Sequence, residues 1–343
     1  MKYRIQVSAA LAVLTMGSAV LAAPEADAGR LATVQKRGVL HCGVNQRLPG
    51  FGFLTKKGKF TGFDVEVCHA VAAAVFKDAK KVKYVPLNAA QRFTALQSGE
   101  IDLLSRNTTW TTSRDGSVGI DFTVTTFYDG QGVMVKTASG VKKMDDLSGA
   151  TVCTNAGTTT EKNITDYFAR KGLKFKLITY EGADGVMAGL RAGRCDATTT
   201  DKTSLLALKF AEKNPADYHV LAETISKEPL GPAVPSNDSQ WRDVVVWTIY
   251  GLIAAEELDI SSANVDAKRK SKDPEVARLL GAAEKLGEGL GLGNDFLYHV
   301  IKQVGNYGEV FDRHLGTKSQ FKIARGLNAL WKDGGLQYAP PFR

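Results

Sequence analysis

Two stretches of the chain, 94 residues apart, are written in the same frame. RFTALQSGEIDLLSRNTTW (92–110) and GVMAGLRAGRCDATTTDKT (185–203) share Leu-x-x-Gly-x-x-Asp: Leu96, Gly99 and Asp102 recur as Leu190, Gly193 and Asp196. In each, apolar residues at helical spacing run up to a glycine, the residue that closes a helix most cheaply. An Asp and a short strand-like run follow. Strands alternating with helices make a parallel α/β sheet with helices on its faces. A repeated unit of this kind predicts two similar α/β lobes, each ending a strand in a polar loop. Carrying the same offset once further pairs Asn107 with Asp201. Polar residues just past the carboxyl ends of strands are where open α/β sheets hold ligands, and two lobes presenting such loops suggest a cleft between them.

The rest of the chain fits this frame. VLHCGV (39–44) reads as a buried strand, NQRLPGFGFLTKKGKFTG as a Pro/Gly-rich loop or hairpin, FDVEVCHAVAAAVF as a helix and KVKYVPL as a strand. The rhythm restarts with ATVCTNAG, TTTEKNITDYFARKG and KFKLITY. A boundary is expected near TFYDGQGVMVKTASG, where a strand leads into a Gly/Ser linker, and a second near ISKEPLGPAVPSND, which carries three prolines. If both are crossovers, the first lobe is discontinuous, taking 30–132 and 226–343, with 133–225 as the second lobe. Two connecting segments form a natural hinge.

The length of 343 residues favours two domains and a sizeable core. Lys2 and Arg4 precede twenty uncharged residues, Ile5 to Pro24, with small residues at Ala22, Ala23 and Ala28. That is the pattern of a cleaved secretory signal, expected over 1–22, and it implies export. The first cysteine is Cys42, so no lipid anchor is expected. The apolar run Val244–Ala255 is too short to span a bilayer and reads as a buried helix. With 44 Lys+Arg against 36 Asp+Glu the net charge is +8, or +6 once Lys2 and Arg4 leave. The excess is spread along the chain and gives no nucleic-acid signature.

Four cysteines, Cys42, Cys68, Cys153 and Cys195, in an exported chain argue for two disulfides. Three pairings are possible. A bridge between the lobes would clamp the hinge, whereas Cys42–Cys68 and Cys153–Cys195 leave it free and would each contribute roughly 3–4 kcal/mol in the chain-entropy model. No CxxC or clustered His gives zinc spacing, so no metal is expected. G-x-S-x-G, the P-loop, H-E-x-x-H and the Rossmann fingerprint are all missing from the sequence, and no cofactor is expected. GEGLGLGND and KRKSK read as loop and solvated helix end.

Three segments carry ligand chemistry. NTTWTTSRD supplies hydroxyls and a single guanidinium, Arg114, which suit a carboxylate; a solvent loop with a helix cap is the plainer alternative. Trp110 in this stretch is either core or a ligand platform. NAGTTTEKN places Thr158-x-x-Glu161 as a capping box, and the helix start it opens also attracts anions, so that Thr159 and Thr160 face the same carboxylate from the other lobe. Asp201 in DATTTDKTS is an acceptor for an ammonium group, or a simple helix N-cap. Arg from one lobe and Asp from the other match a zwitterion, an α-amino acid.

At this point a resemblance becomes specific. GFDVEV, RFTALQSGEIDLL, RNTTWTTSRD, IDFT, FYDGQGVMV and AGTTTE resemble the family-3 extracellular solute-binding proteins. SKEPLGPAV, QVGNYGE and ARGLNALWKDGGLQYAPPFR are similar to the general L-amino-acid group of that family, which serves the polar-amino-acid ABC transporters. The resemblance covers nearly the whole mature chain. It implies the type II periplasmic binding-protein fold, a periplasmic location, an L-amino-acid ligand held between the lobes, and delivery to the ABC permease in the inner membrane; a monomer is expected. By position it implies that Arg114 takes the ligand carboxylate, and that the Thr109 hydroxyl accompanies the Asn107 contact. It also implies that the Asn107 carbonyl takes the ammonium, that Thr158 and Thr159 are second-lobe anion contacts, and that Asp201 is the ammonium-binding acid. The family's usual aromatic side-chain contacts fall here on Arg47 or Leu48 and on Ala89, which leaves the side-chain pocket open and suggests broad specificity. An enzyme on the same fold, a cyclic amino-acid dehydratase, is the alternative; a sensory module would need an output domain that the sequence lacks.

Overall fold

The computed structural model describes residues 29–343, so the expected signal at 1–22 and its cleavage alanines lie outside the described residues. Helix α1 (Arg30–Arg37) leads into β1 (Leu40–Val44), a small three-stranded ribbon of β2 (Arg47–Leu48), β3 (Gly52–Leu54) and β4 (Phe60–Thr61), and helix α2 (Phe63–Phe76). Then come β5 (Val82–Pro86), α3 (Arg92–Gln97), β6 (Leu103–Leu104), α4 (Thr112–Ser117), β7 (Ile120–Phe122) and β8 (Phe127–Asp129). The next stretch holds β9 (Gln131–Lys136), β10 (Thr151–Asn155), α5 (Thr159–Lys171), β11 (Lys176–Tyr180), α6 (Ala183–Arg191), β12 (Ala197–Asp201), α7 (Lys202–Ala211) and β13 (Tyr218–Val220). The return brings β14 (Glu228–Leu230), β15 (Ala233–Pro235), α8 (Ser239–Glu257), α9 (Val265–Lys268), α10 (Pro274–Leu279), α11 (Phe296–Val304) and α12 (Tyr307–His314).

Two five-stranded sheets result, ordered β5-β1-β6-β15-β7 and β11-β10-β12-β9-β13. They follow one plan. The first three strands of each are parallel, and the fourth runs antiparallel to both of its neighbours. The repeated frame has a repeated job. Gly99 and Gly193 both take the left-handed conformation after their helices, at φ +76° and +71°. Asp102 then accepts from the His41 N–H of β1 at 2.8 Å, and Asp196 accepts from the Thr151 N–H of β10, also at 2.8 Å. Each aspartate thus fixes the middle strand of the three parallel strands in its own sheet.

Between the sheets, β8 and β14 pair antiparallel, Glu228 opposite Asp129. The chain therefore changes sheets between Asp129 and Gln131, slightly ahead of the expected crossover at 132–133, because all of β9 is committed to the second sheet. The return runs through Ser226 into β14. Both disulfides stay within one sheet's territory: Cys42 of β1 with Cys68 of α2 (Cα–Cα 6.1 Å), and Cys153 of β10 with Cys195 just before β12 (5.8 Å).

Helix α2 explains the larger core. Its sequence is almost wholly apolar, so it buries on more than one face, and α8, α11 and α12 pack against it. Helix α8 contains the Val244–Ala255 run as a buried helix, N-capped by Asp238, which accepts from the Trp241 N–H at 2.9 Å. Among the described residues no helix is long and apolar enough to cross a membrane.

Candidate functional site

The loop after β6 cannot continue its strand, because Thr108–Trp110 turn to pair with the return segment instead. Trp110 N–H donates to the Pro229 carbonyl at 2.8 Å, and Gly231 N–H to the Thr108 carbonyl at 3.0 Å. This pins Thr109 beside Glu228. From the other sheet, β10 ends at Asn155, and Gly157 follows in the left-handed region at φ +73°. A Cβ on Gly157 would sit 3.2 Å from the Ala90 Cα, so this glycine lets the two sheets' loops approach closely.

A cavity lies between these loops. Five of the six residues expected at the site line it: Asn107, Thr109, Thr158, Thr159 and Asp201. Leu48 and Ala89 line it too, and no aromatic side chain does. Arg47 instead lines the adjoining cavity and pairs across the cleft with Asp184 at 3.4 Å. Arg114, the sixth expected residue, is buried one layer behind. Its Nη1 donates to the Thr109 carbonyl at 2.8 Å, and its guanidinium lies 5.3 Å from the Phe93 ring centroid. Trp110 belongs to the core, stacked on Phe122 at 5.4 Å.

Several side chains act differently from the sequence expectation. The Thr158/Glu161 capping box does not form. Thr158 Oγ1 donates to the Asn155 carbonyl at 2.8 Å, while Glu161 reaches back to the Gly157 N–H at 2.7 Å. No side chain caps the start of α5, so its first N–H groups keep their attraction for an anion. Asp201 stands at the N-cap position of α7 but makes no capping bond. Its one side-chain contact on α7 is a long 3.5 Å bond from Ser204. A buried carboxylate not spent on its own helix is available to a cation.

Four functional residues escaped the sequence reading. Arg92 and Arg106 line the cavity, giving, with Arg114, three buried guanidiniums. Arg92 Nη1 donates to Thr108 at 3.1 Å, and its Nε is buried without a partner among the described residues. Arg106 Nε donates to the Leu87 carbonyl at 2.9 Å. Asn155 presents a buried, unpartnered Oδ1. Glu228 joins both lobes. Its Oε2 accepts from Thr109 at 2.5 Å and Thr159 at 3.1 Å, and its Oε1 from Asn163 at 2.7 Å and Ser226 at 2.5 Å. The only signal in the sequence was a charged residue inside the apolar, Pro-rich return segment, and arginines flanking otherwise apolar runs.

Burial sets the electrostatics. It pushes the Asp201 carboxyl well above the usual range, with Asp129 and Glu228 adding to the shift, while the Asn107 amide and Arg92 oppose it. Asp129 rises to about 6, again from burial first. Burial lowers Arg92, helped by Arg106 and Arg114. It also lowers Arg106 to about 10, against the pull of Asp64. A cavity with crowded cations at one side and a strained carboxyl at the other favours a ligand carrying both charges.

Comparison with known proteins gives a consistent picture. Residues 40–264 match the bacterial extracellular solute-binding proteins, family 3. The chain is 53% identical over 332 residues to the general L-amino acid-binding periplasmic protein AapJ of Rhizobium johnstonii, covering 96% of this chain and 97% of that protein. It is 47% identical to the glutamate/glutamine/aspartate/asparagine-binding protein BztA of Rhodobacter capsulatus, covering 95% and 96%. Among solved structures, an ABC transporter periplasmic binding protein from Brucella ovis with glutathione bound superposes with a TM-score of 0.90. It is 50% identical, over 92% of this chain and 100% of that one.

Proposed function

The chain belongs to the bacterial extracellular solute-binding proteins, family 3, with their type II periplasmic binding-protein fold, and from that premise we propose that it is the periplasmic component of an ABC importer that binds L-amino acids by their α-carboxylate and α-ammonium groups. Asp201 takes the ammonium, aided by the Asn107 carbonyl. Thr109, Thr158, Thr159 and the start of α5 take the carboxylate, with Arg114 behind them holding the Thr109 carbonyl and adding its positive charge. The observation that carries this reading is Asp201, buried in the cavity at a helix N-cap position yet making no cap.

Ligand touching both lobes lowers the free energy of the closed state relative to the open one, so binding shifts the population by its differential affinity for the two. The paired strands β8 and β14 are the segments about which the lobes, 30–130 with 226–343 and 131–225, would rotate. The closed protein, as a monomer exported by its leader, then presents itself to the permease. Relatives at 47–53% identity are amino-acid-binding proteins, those at 49–50% putative amino-acid ABC transporter-binding proteins, and the dehydratase alternative is set aside.

Calorimetry with L-amino acids tests the assignment. Asp201→Ala and Arg114→Ala are each expected to lower affinity roughly a hundredfold, the scale for leaving a buried charge without its partner, with circular dichroism showing retained fold. Unchanged affinity in either folded variant removes that residue from the site.

A further inference from the structure

Arg106 has no role in the head-group scheme above, and its surroundings ask for one. It follows β6, is 5% exposed, and spends only Nε, on the Leu87 carbonyl. Among the described residues nothing accepts a hydrogen bond from its two terminal nitrogens, and no carboxylate pairs with it within 4.0 Å. Its two terminal nitrogens are left for a ligand, and Asp64 acts on it only through space, outside ion-pair distance. Arg92 and Arg114 sit elsewhere. Both lie over the Phe93 ring, at 4.9 and 5.3 Å, and bond to the consecutive residues Thr108 and Thr109, beside the expected α-carboxylate contacts. Arg106 stands instead at the partition between the cavity and its neighbour, lining both together with Asn45, Asn155 and Ala183. The Asn155 Oδ1 there is buried and unpartnered. An amide so placed can turn either its carbonyl or its NH2 toward a ligand. Leu48 and Ala89 supply apolar wall for intervening methylenes.

We propose that Arg106, with the amides of Asn45 and Asn155, is a second anion subsite that takes the side-chain carboxylate of an acidic L-amino acid. The proposal rests on the head-group reading, because the α-carboxylate and ammonium must be held for the side chain to reach the partition. A guanidinium offers only donors, so a carboxylate satisfies two of them at once, a carboxamide one, and a methyl group none. The expected order is therefore glutamate or aspartate, then glutamine or asparagine, then alanine.

The full-length protein is titrated calorimetrically with L-glutamate, L-glutamine and L-alanine at pH 8. Glutamate is expected to bind about tenfold more tightly than glutamine and about a hundredfold more tightly than alanine, each tenfold step being one charge-assisted bond. Arg106→Gln is expected to cost glutamate at least about tenfold and alanine less than about threefold, and Arg106→Lys to restore part of the glutamate preference. Asn155→Asp, which puts a like charge at the partition, is expected to weaken glutamate selectively; it keeps the test open should Arg106→Gln fail to fold. Equal affinities for the three ligands in the unmodified protein, or a loss shared equally by glutamate and alanine in the folded variants, overturns the subsite and leaves the head-group reading standing. Binding of none of the three overturns the head-group reading, and the subsite with it.

Discussion

Asp102 and Asp196 hold the same place in the repeated frame and hold down the same kind of strand, yet Asp102 is sealed in the protein and Asp196 stands in solvent. The difference lies in what covers them. Asp102 also receives Arg30 and Arg37, and its carbonyl accepts from the Trp241 indole N–H at 2.8 Å. Helices α1 and α8, some two hundred positions apart in the chain (Arg30 and Asp238 are 208 apart), close over the first sheet at this point. Among the described residues, no such cover lies over Asp196 in the second sheet. The cleft shows the same asymmetry in another form. The first lobe brings guanidiniums, Arg92, Arg106 and Arg114, whereas the second brings Asp201, hydroxyls and an uncapped helix start. One plan used twice gives each lobe its scaffold, and what differs between the copies gives the ligand site its polarity.

The sharpest probe of that comparison is removal of each disulfide as a Cys→Ser pair. Cys42–Cys68 closes a separation of 26 residues and Cys153–Cys195 one of 42. In the chain-entropy model both losses fall at roughly 3–4 kcal/mol, the second slightly larger. Urea unfolding that shows only one bridge to matter would break the equivalence of the scaffolds.

Next in size is the pair of aspartates. Asp102→Ala strips a buried acceptor from His41 and leaves two arginines without their anion, an expected loss of about 3 kcal/mol. Asp196→Ala removes one exposed acceptor, at about 1 kcal/mol. Equal shifts in the urea midpoint would mean that the covering helices contribute nothing to the difference.

Glu228 tests the link between the lobes. Glu228→Gln keeps the shape but replaces one oxygen with a donor, so either the Thr109/Thr159 pair or the Asn163/Ser226 pair loses its acceptor. A roughly tenfold drop in ligand affinity is expected, about the value of a charged hydrogen bond. If X-ray scattering shows the variant closing on ligand as readily as the unmodified protein, with the same affinity, the carboxylate does not join the lobes.

The smallest effect is with pH. Asp201 is held above its ordinary range by burial, whereas a bound ammonium would favour its ionised form and lower it again. Binding then releases a proton at pH values between the bound and free pKa, so affinity rises as pH rises and falls on acidification. Calorimetry in buffers of different ionisation enthalpy reads the proton directly. A buffer-independent heat across pH 5–8 would show that Asp201 does not change ionisation on binding.

Periodicity and the repeated frame marked β1, α2, β5, β10, α5 and β11 in the sequence, because those patterns are local. The place of Asp201 at the end of β12 was legible for the same reason, whereas the intra-lobe cysteine pairs were favoured among three possible pairings because a bridge between the lobes would clamp the hinge. Only the tertiary structure decided that Arg114 stands behind the cavity while Arg92 and Arg106 line it, that Thr158 declines its cap, and that Glu228 joins Thr109 to Thr159. Those outcomes depend on burial and on which groups meet across the cleft. The Glu228 bonds to Thr109 and Thr159, 119 and 69 positions away, are set by how the two sheets pack, and no short-range pattern in the chain encodes them; the Thr158 bond to Asn155 is local, but which acceptor it takes depends on the loop's backbone path.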